Sequence, residues 1–310
     1  MPQFYLIPKK LARKAPVLVS ISQWFEALAF RFIFWIMRML SVERASQLSA
    51  FAFGLVGPHG DKARKARINL AVAFPGASEE WREQTTRQIF RYLGISAAEL
   101  IKLDQIWEQR EQRLEFVLQP LAREHIEAGA ATVFVSAHVG AWQVTNFLAL
   151  EKGLTTSTIY APESNPVLAG IMLDLRKSLG VRLIASDAGV RPLMKELLAG
   201  NSVGMAMDTR LDTGKLVPFF GRDALTNTTA ARLALRTGAA LVPIRGERLP
   251  GGRFRITVYD PLTSQYPDAT LNEQANALTA RINNHFEEWI RESPEQWICL
   301  KRRWPKAHKL

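Results

Sequence analysis

The chain has 310 residues, 47% of them hydrophobic, which allows a substantial core and excludes global disorder. Its single cysteine, Cys299, excludes an intrachain disulfide and a cysteine-based metal site, and its five histidines show no ligand spacing, so no metal is expected. The net charge of +11 calls for an anionic partner, whether nucleic acid, an anionic lipid surface or an acidic protein.

Three basic clusters stand out. Lys9, Lys10, Arg13 and Lys14 open the chain, "KARKAR" spans Lys62 to Arg67, and Lys301, Arg302, Arg303, Lys306 and Lys309 close it. Between the first two lies "PVLVSISQWFEALAFRFIFWIMRML" (Pro16 to Leu40). It is long enough to span a bilayer but is broken by Glu26, Arg31 and Arg38. A bulky apolar helix with spaced arginines fits an interfacial anchor, its tryptophans at the membrane interface, and the lysines before it favour a cytoplasm-facing surface. The alternative is an amphipathic core helix. No small-residue cleavage site follows cleanly, which argues against a secretory signal. Residues 1–45 are therefore set apart as a membrane-associating helical segment.

Up to about Ala130 the pattern is mostly helical. "SVERASQLSAFAFGLVG" is one amphipathic stretch, and a second begins at Ser78 with acids in its first turn. From Ala131 the character changes. "TVFVSAH" and "TSTIYAP" are short apolar strands, followed by a helix from about Asn165 to Leu179. "VRLIAS" is a third strand, then a helix near Pro192 to Leu198, then a fourth strand, "SVGMAMD". "NTTAARLALRTG" is a helix with Asn227 and Thr228 as caps. Two strands, "ALVPIRGERL" and "RFRITVYD", flank the turn at Pro250 to Gly252, and a long helix runs from about Leu271 to Glu292. Strand–helix alternation predicts an α/β fold: an open sheet flanked by helices, with ligands beyond the carboxyl ends of the strands.

His138 closes the first of these strands and Asp208 closes the fourth. An imidazole titrates near neutrality, as a general base needs. Gly140 permits a tight turn, and a helix starting there would aim free N–H groups at an oxyanion or phosphate. Gln143 meets His138 only if the histidine lies in the turn before that helix and the glutamine in its first turn. The bland reading of His138 is a structural hydrogen-bonder. Asp208 either lines the site with Arg210 or caps a turn and pairs with that arginine.

His-x4-[Asp/Glu] on a strand–turn–helix resembles the signature of the glycerolipid and lipid A acyltransferases. The likeness extends to "YAPESNPVL" (Tyr160 to Leu168), "MDTR" (Met207 to Arg210), "KLVPFFGRDALTNTTAARLALRTGAALVP" (Lys215 to Pro243) and "PEQWICLKRRW" (Pro294 to Trp304). Over most of its length the chain is similar to the lauroyl/myristoyl (late) acyltransferases of lipid A biosynthesis. The resemblance implies a glycerolipid-acyltransferase-like fold with an open mixed sheet, as an acyltransferase-like domain over 46–310. It implies transfer of a fatty acyl chain from acyl carrier protein or acyl-CoA to a hydroxyl of a lipid acceptor. The place would be the cytoplasmic face of the cell inner membrane, with an anionic membrane surface as partner and no bound cofactor. Nucleic acid is not expected, since no binding motif accompanies the charge. His138, Gln143 and Asp208 are the catalytic candidates. Gly140, Trp142, Tyr160, Asn165, Arg210 and Arg232 are the substrate-binding candidates.

Two positions depart from the family pattern. Gln143 stands where the family has an acid, and a neutral amide cannot stabilise imidazolium by charge. Either activity is weak, or Asp208 or Glu163 supplies the charge, or the chain is a non-catalytic lipid-binding member. If the site lacks only that acid, Gln143→Glu should raise activity. If Asp208 already serves, the gain should be small and Asp208→Asn the damaging change. Ala161 stands where many relatives carry an arginine, and one anion contact is missing there.

Overall fold

The computed structural model describes residues 16–163 and 165–304. The basic residues at 9–14 and 306–309 lie outside the described residues. Among the described residues there are nine strands: β1 (Leu114–Leu118), β2 (Thr132–Ser136), β3 (Thr156–Tyr160), β4 (Arg182–Ala185), β5 (Ser202–Ala206), β6 (Lys215–Phe219), β7 (Arg222–Thr226), β8 (Ala240–Leu249) and β9 (Arg253–Val258). Seven form one open sheet in the order β1-β9-β8-β2-β5-β3-β4. Its pairs are parallel except the β8–β9 hairpin, so the sheet is mixed, as expected. The central strand β2 is buried on both faces, which is why it reads as an unbroken apolar run.

Val133 and Val135 of β2 point into one core layer, packed with the helices Asp61–Ala73, Thr229–Thr237 and Leu271–Glu292. Phe134 points into the other, packed with Leu103–Glu108, Pro120–Glu127 and Phe147–Lys152. The helices Pro166–Lys177 and Arg191–Leu198 fall close to where the pattern places them. β1 and the separate β6–β7 hairpin were not anticipated. β1 sits at the sheet edge inside an otherwise helical stretch, and Pro218 masks β6 as a strand. The hairpin turns through Phe220 (φ 52°) and Gly221 (φ 67°), with the Phe220 N–H donating to Glu287 Oε1.

The apolar segment after residue 15 forms one helix, Pro16–Met39. It is neither fully buried nor free. Ala27 and Met37 face the body of the protein, while Trp24, Phe25, Leu28, Phe32 and Trp35 are exposed as a stripe at helical spacing. Phe51, Leu55 and Val56 on the next helix, Val42–Val56, extend the exposed apolar surface. Residue 45 falls inside this second helix. Among the described residues no helix is long and apolar enough to cross a membrane. The carbonyls ending the first helix are capped by a buried lysine: Lys102 Nζ donates to Arg38 O (3.0 Å) and Leu40 O (2.5 Å). Arg38 in turn reaches Asp104 at 2.5 Å.

Two basic clusters prove less available than their sequence suggests. Arg64 and Lys65 pair with Asp61, and Arg67 pairs with Glu83. Arg303 is core rather than surface. Its guanidinium lies over Phe219 and donates to Leu225 O and Thr226 Oγ1, and burial lowers its pKa to about 10.

The Val42–Val56 and Glu79–Ile101 helices cross where Gly94 meets Ser49; a methyl group on Gly94 would lie 2.4 Å from the Ser49 carbonyl oxygen. Alanine is the better helix former by about 1 kcal/mol, so Gly94→Ala would stabilise an unobstructed helix. Here it should instead destabilise by about 1–3 kcal/mol, the usual penalty of overpacking. Denaturant unfolding gives the sign directly.

Candidate active site

β2 and β5 are adjacent and parallel, with Ser136 paired to Ala206. The Met207 N–H donates to Ser136 O at 2.9 Å and carries the pairing past the strand ends. His138 and Asp208 each lie two residues beyond, so one register brings them together. Asp208 Oδ1 accepts from His138 Nδ1 (2.7 Å) and from the His138 backbone N–H (3.0 Å). Its Oδ2 accepts from Trp297 Nε1 at 3.0 Å. A carboxylate can only accept, so the ring proton sits on Nδ1 and Nε2 of the neutral ring is left as a base.

The environments of the two groups differ. The Asp208 side chain is 2% exposed and that of His138 32% exposed. Burial by itself raises the Asp208 pKa, but the adjacent imidazole and the hydrogen bonds from His138 and Trp297 outweigh it, and the carboxyl is held below its ordinary value. Burial by itself lowers the His138 pKa; the Asp208 charge and hydrogen bond outweigh it, and the imidazole is raised.

The stretch after His138 does not begin a helix at once, contrary to expectation. Gly140 turns the chain at φ 62°, and the Ala141 N–H donates to Gly246 O at 2.8 Å. A Cβ on Gly140 would lie 2.2 Å from that same oxygen, and one on Gly246 would lie 2.4 Å from Ala141 O. This close approach to β8 holds the loop in place. A 3₁₀ turn (Val144–Asn146) follows, then a six-residue helix, Phe147–Lys152. The Ala141, Val144 and Asn146 N–H groups donate to the backbone carbonyls of Gly246, Ala141 and Gln143. The C-terminal segment closes the other side. Val139 bridges to Trp297, and Ile298 N–H donates to His138 O at 2.8 Å.

Gln143 does not replace an acid beside the imidazole. Its Nε2 donates to Ser96 O at 3.0 Å, on the Glu79–Ile101 helix. The Ser96 hydroxyl accepts from Arg248, which forms a bidentate pair with buried Glu99 (2.7 and 2.6 Å). A carboxylate at 143 would face the Ser96 carbonyl with no proton to offer it.

His138, Gln143, Trp142 and Tyr160 line one cavity of about 420 Å³, running down the sheet face that carries Phe134. The Trp142 ring stands edge-on to His138, centroids 5.4 Å apart. Leu93 and Leu100 of the Glu79–Ile101 helix form much of the facing wall. At the rim, Arg176 lies over the Tyr160 ring and pairs with Glu163 at 2.8 Å, which commits Glu163 away from His138.

Three substrate-binding candidates are engaged elsewhere. Asn165 caps the Pro166–Lys177 helix, accepting from Val167 and Leu168 N–H, and donates to Gln23 O and Glu26 Oε2. Arg210 pairs with Asp212, and Arg232 bonds Thr228 and Asn272. None of the three lines the cavity. Trp297 was legible only as part of a resembling block. Asn69, which holds the C-terminal segment through Cys299 O, Lys301 O and Arg303 N–H, left no signal in the sequence.

A family model described as bacterial lipid A biosynthesis acyltransferase matches residues 12–306. The lipid A biosynthesis acyltransferase of Haemophilus influenzae is 21% identical over 253 residues, 78% of this chain and 76% of that protein. The lipid A biosynthesis lauroyltransferase of Escherichia coli is 27% identical over 256 residues, 77% and 79% of the two chains. The phosphatidylinositol mannoside acyltransferase of Mycobacterium tuberculosis is 29% identical over 184 residues, 58% and 56% of the two.

The electrostatics give a test that needs no substrate. In an NMR pH titration the His138 ring should titrate above the ordinary value of about 6.5. In Asp208→Asn burial acts without its counter-charge, and the midpoint should fall below that value. An unshifted midpoint in the variant would refute this account of the pair.

Proposed function

The chain belongs to the bacterial lipid A biosynthesis acyltransferase family, and on that premise we propose that it moves a fatty acyl chain from a thioester donor to a hydroxyl of a lipid A precursor or a related lipid. It is an acyltransferase. The donor is acyl carrier protein or acyl-CoA, either of which suits a chain of net charge +11. The observation that carries the reading is the His138–Asp208 pair at a cavity whose facing wall is leucine-rich.

In the proposed reaction the acyl tail occupies the cavity and the thioester carbonyl sits beside Trp142. The acceptor hydroxyl approaches His138 Nε2, which takes its proton as the oxygen attacks the carbonyl carbon. Ionised Asp208 stabilises the resulting imidazolium and keeps the ring in its working tautomer. Collapse of the tetrahedral intermediate breaks the carbon–sulfur bond, and the departing thiolate takes the proton back from His138.

The lipid-binding alternative rested on Gln143. The Asp208 contact supplies a carboxylate by another route, which removes the reason for preferring that alternative. Asp208→Asn should lower the transfer rate by about 10⁴-fold, as the equivalent change does in serine protease triads, and Gln143→Glu should bring no gain. Because the base must be neutral, the wild-type rate should rise with pH through a midpoint above the ordinary histidine value. Transfer assays with purified donor and acceptor decide this; a strong gain in Gln143→Glu would return the acid to position 143.

The exposed stripe of the first helix supports a peripheral seat on the inner membrane, cytoplasmic face, without a span. Replacing Trp24, Phe32 and Trp35 by serine should reduce flotation with anionic liposomes at least about tenfold, because each buried aromatic contributes well over 1 kcal/mol. Equal flotation of the two proteins would rule out this face as the contact.

A further inference from the structure

The cavity is not uniformly apolar. One seam of polar side chains lines it: Gln143, Asn146 and Thr158. Asn146 Nδ2 donates to Gln143 O at 3.0 Å, and Thr158 Oγ1 donates to Asn146 Oδ1 at 2.6 Å. These contacts fix the seam and leave capacity unused, since the Asn146 amide has a second N–H and the Thr158 hydroxyl can still accept. The Thr156 hydroxyl is fully buried, shut off from the cavity, and has no hydrogen-bond partner among the described residues. Thr158, two residues on along β3, lines the cavity together with Asn146.

The neighbouring strand keeps the seam open. Thr158 is in register with Gly204, and a Cβ there would lie 3.1 Å from Thr158 Oγ1. Gly204 is in turn in register with Phe134, four residues before His138. At the usual strand rise that is about 13 Å below the reacting histidine.

A plain hydrocarbon tail would shut these groups away from water and offer them nothing. Valine has the shape of threonine and would line such a tail without that penalty. Building on the acyltransferase reading, we propose that the cavity selects an acyl chain carrying a hydroxyl on its distal half. The Asn146–Thr158 pair would receive that hydroxyl. A chain bearing its hydroxyl next to the carbonyl would place it too shallow to reach that pair.

The test compares binding of dodecanoate, 3-hydroxydodecanoate and ω-hydroxydodecanoate to the full-length protein by titration calorimetry, with transfer from the matching thioesters measured in parallel. The ω-hydroxy chain should bind about tenfold more tightly than the other two, a factor that one satisfied buried hydroxyl can supply. In Thr158→Val that preference should fall to near unity. Equal binding of the three chains, a preference for plain dodecanoate, a preference unchanged in Thr158→Val, or binding of none would each overturn the proposal. Transfer of the plain chain in any of those cases would leave the acyltransferase reading standing, whereas transfer of no chain would count against that reading.

Discussion

The site depends on one register. Ser136 opposite Ala206 sets His138 opposite Asp208, and a buried carboxylate meets an imidazole that is open to a cavity. A slip of one residue between β2 and β5 would turn every side chain on the slipped strand to the other face. The alternation along β2 prevents that slip, because Val133 and Val135 belong to one core layer and Phe134 to the other. The two hydrophobic cores thus position the charge pair as well as stabilising the fold.

The rest of the molecule clamps this geometry. Trp297 takes the second oxygen of Asp208, and Ile298 takes the His138 carbonyl, so the C-terminal segment touches both partners. Asn69 fastens that segment with three hydrogen bonds, and Arg303 buries itself over Phe219. On the opposite side Gly140 and Gly246 let two backbones approach closely enough for the Ala141 N–H to reach β8. Each contact limits how far the histidine can move from its carboxylate, which is the preorganisation that the proposed proton transfer needs.

Much of this was legible in the sequence as separate parts. "TVFVSAH" and "SVGMAMD" each end an apolar run in one ionisable residue, and the rule for open α/β sheets sends both to the same edge. Their adjacency was not legible, because it depends on strand order between positions 70 apart in sequence. The same limit hid the fate of Gln143, whose partner Ser96 lies 47 residues earlier on a different helix. Local signals fared better. The helix start at Ser78 and the apolar, arginine-spaced character of the first helix both follow from neighbours in sequence. The charge count misled where Arg303 and Lys102 are buried, since composition cannot distinguish a core cation from a surface one.

The capping of the first helix by Lys102 bears on how the protein can be shortened. Removing residues 1–40 would strip away both carbonyls that hold this ammonium, open it to water, and leave Asp104 without Arg38. The helix therefore packs as part of the body of the protein as well as exposing an apolar stripe, and it is tied through Gln23 and Glu26 to Asn165 at the start of the Pro166–Lys177 helix. A shortened form intended for crystallisation should be cut ahead of Pro16, with the exposed aromatics replaced in place. A cut at Leu40 would remove the exposed aromatics but bare Ala98 and Ile101, which Met37 now covers.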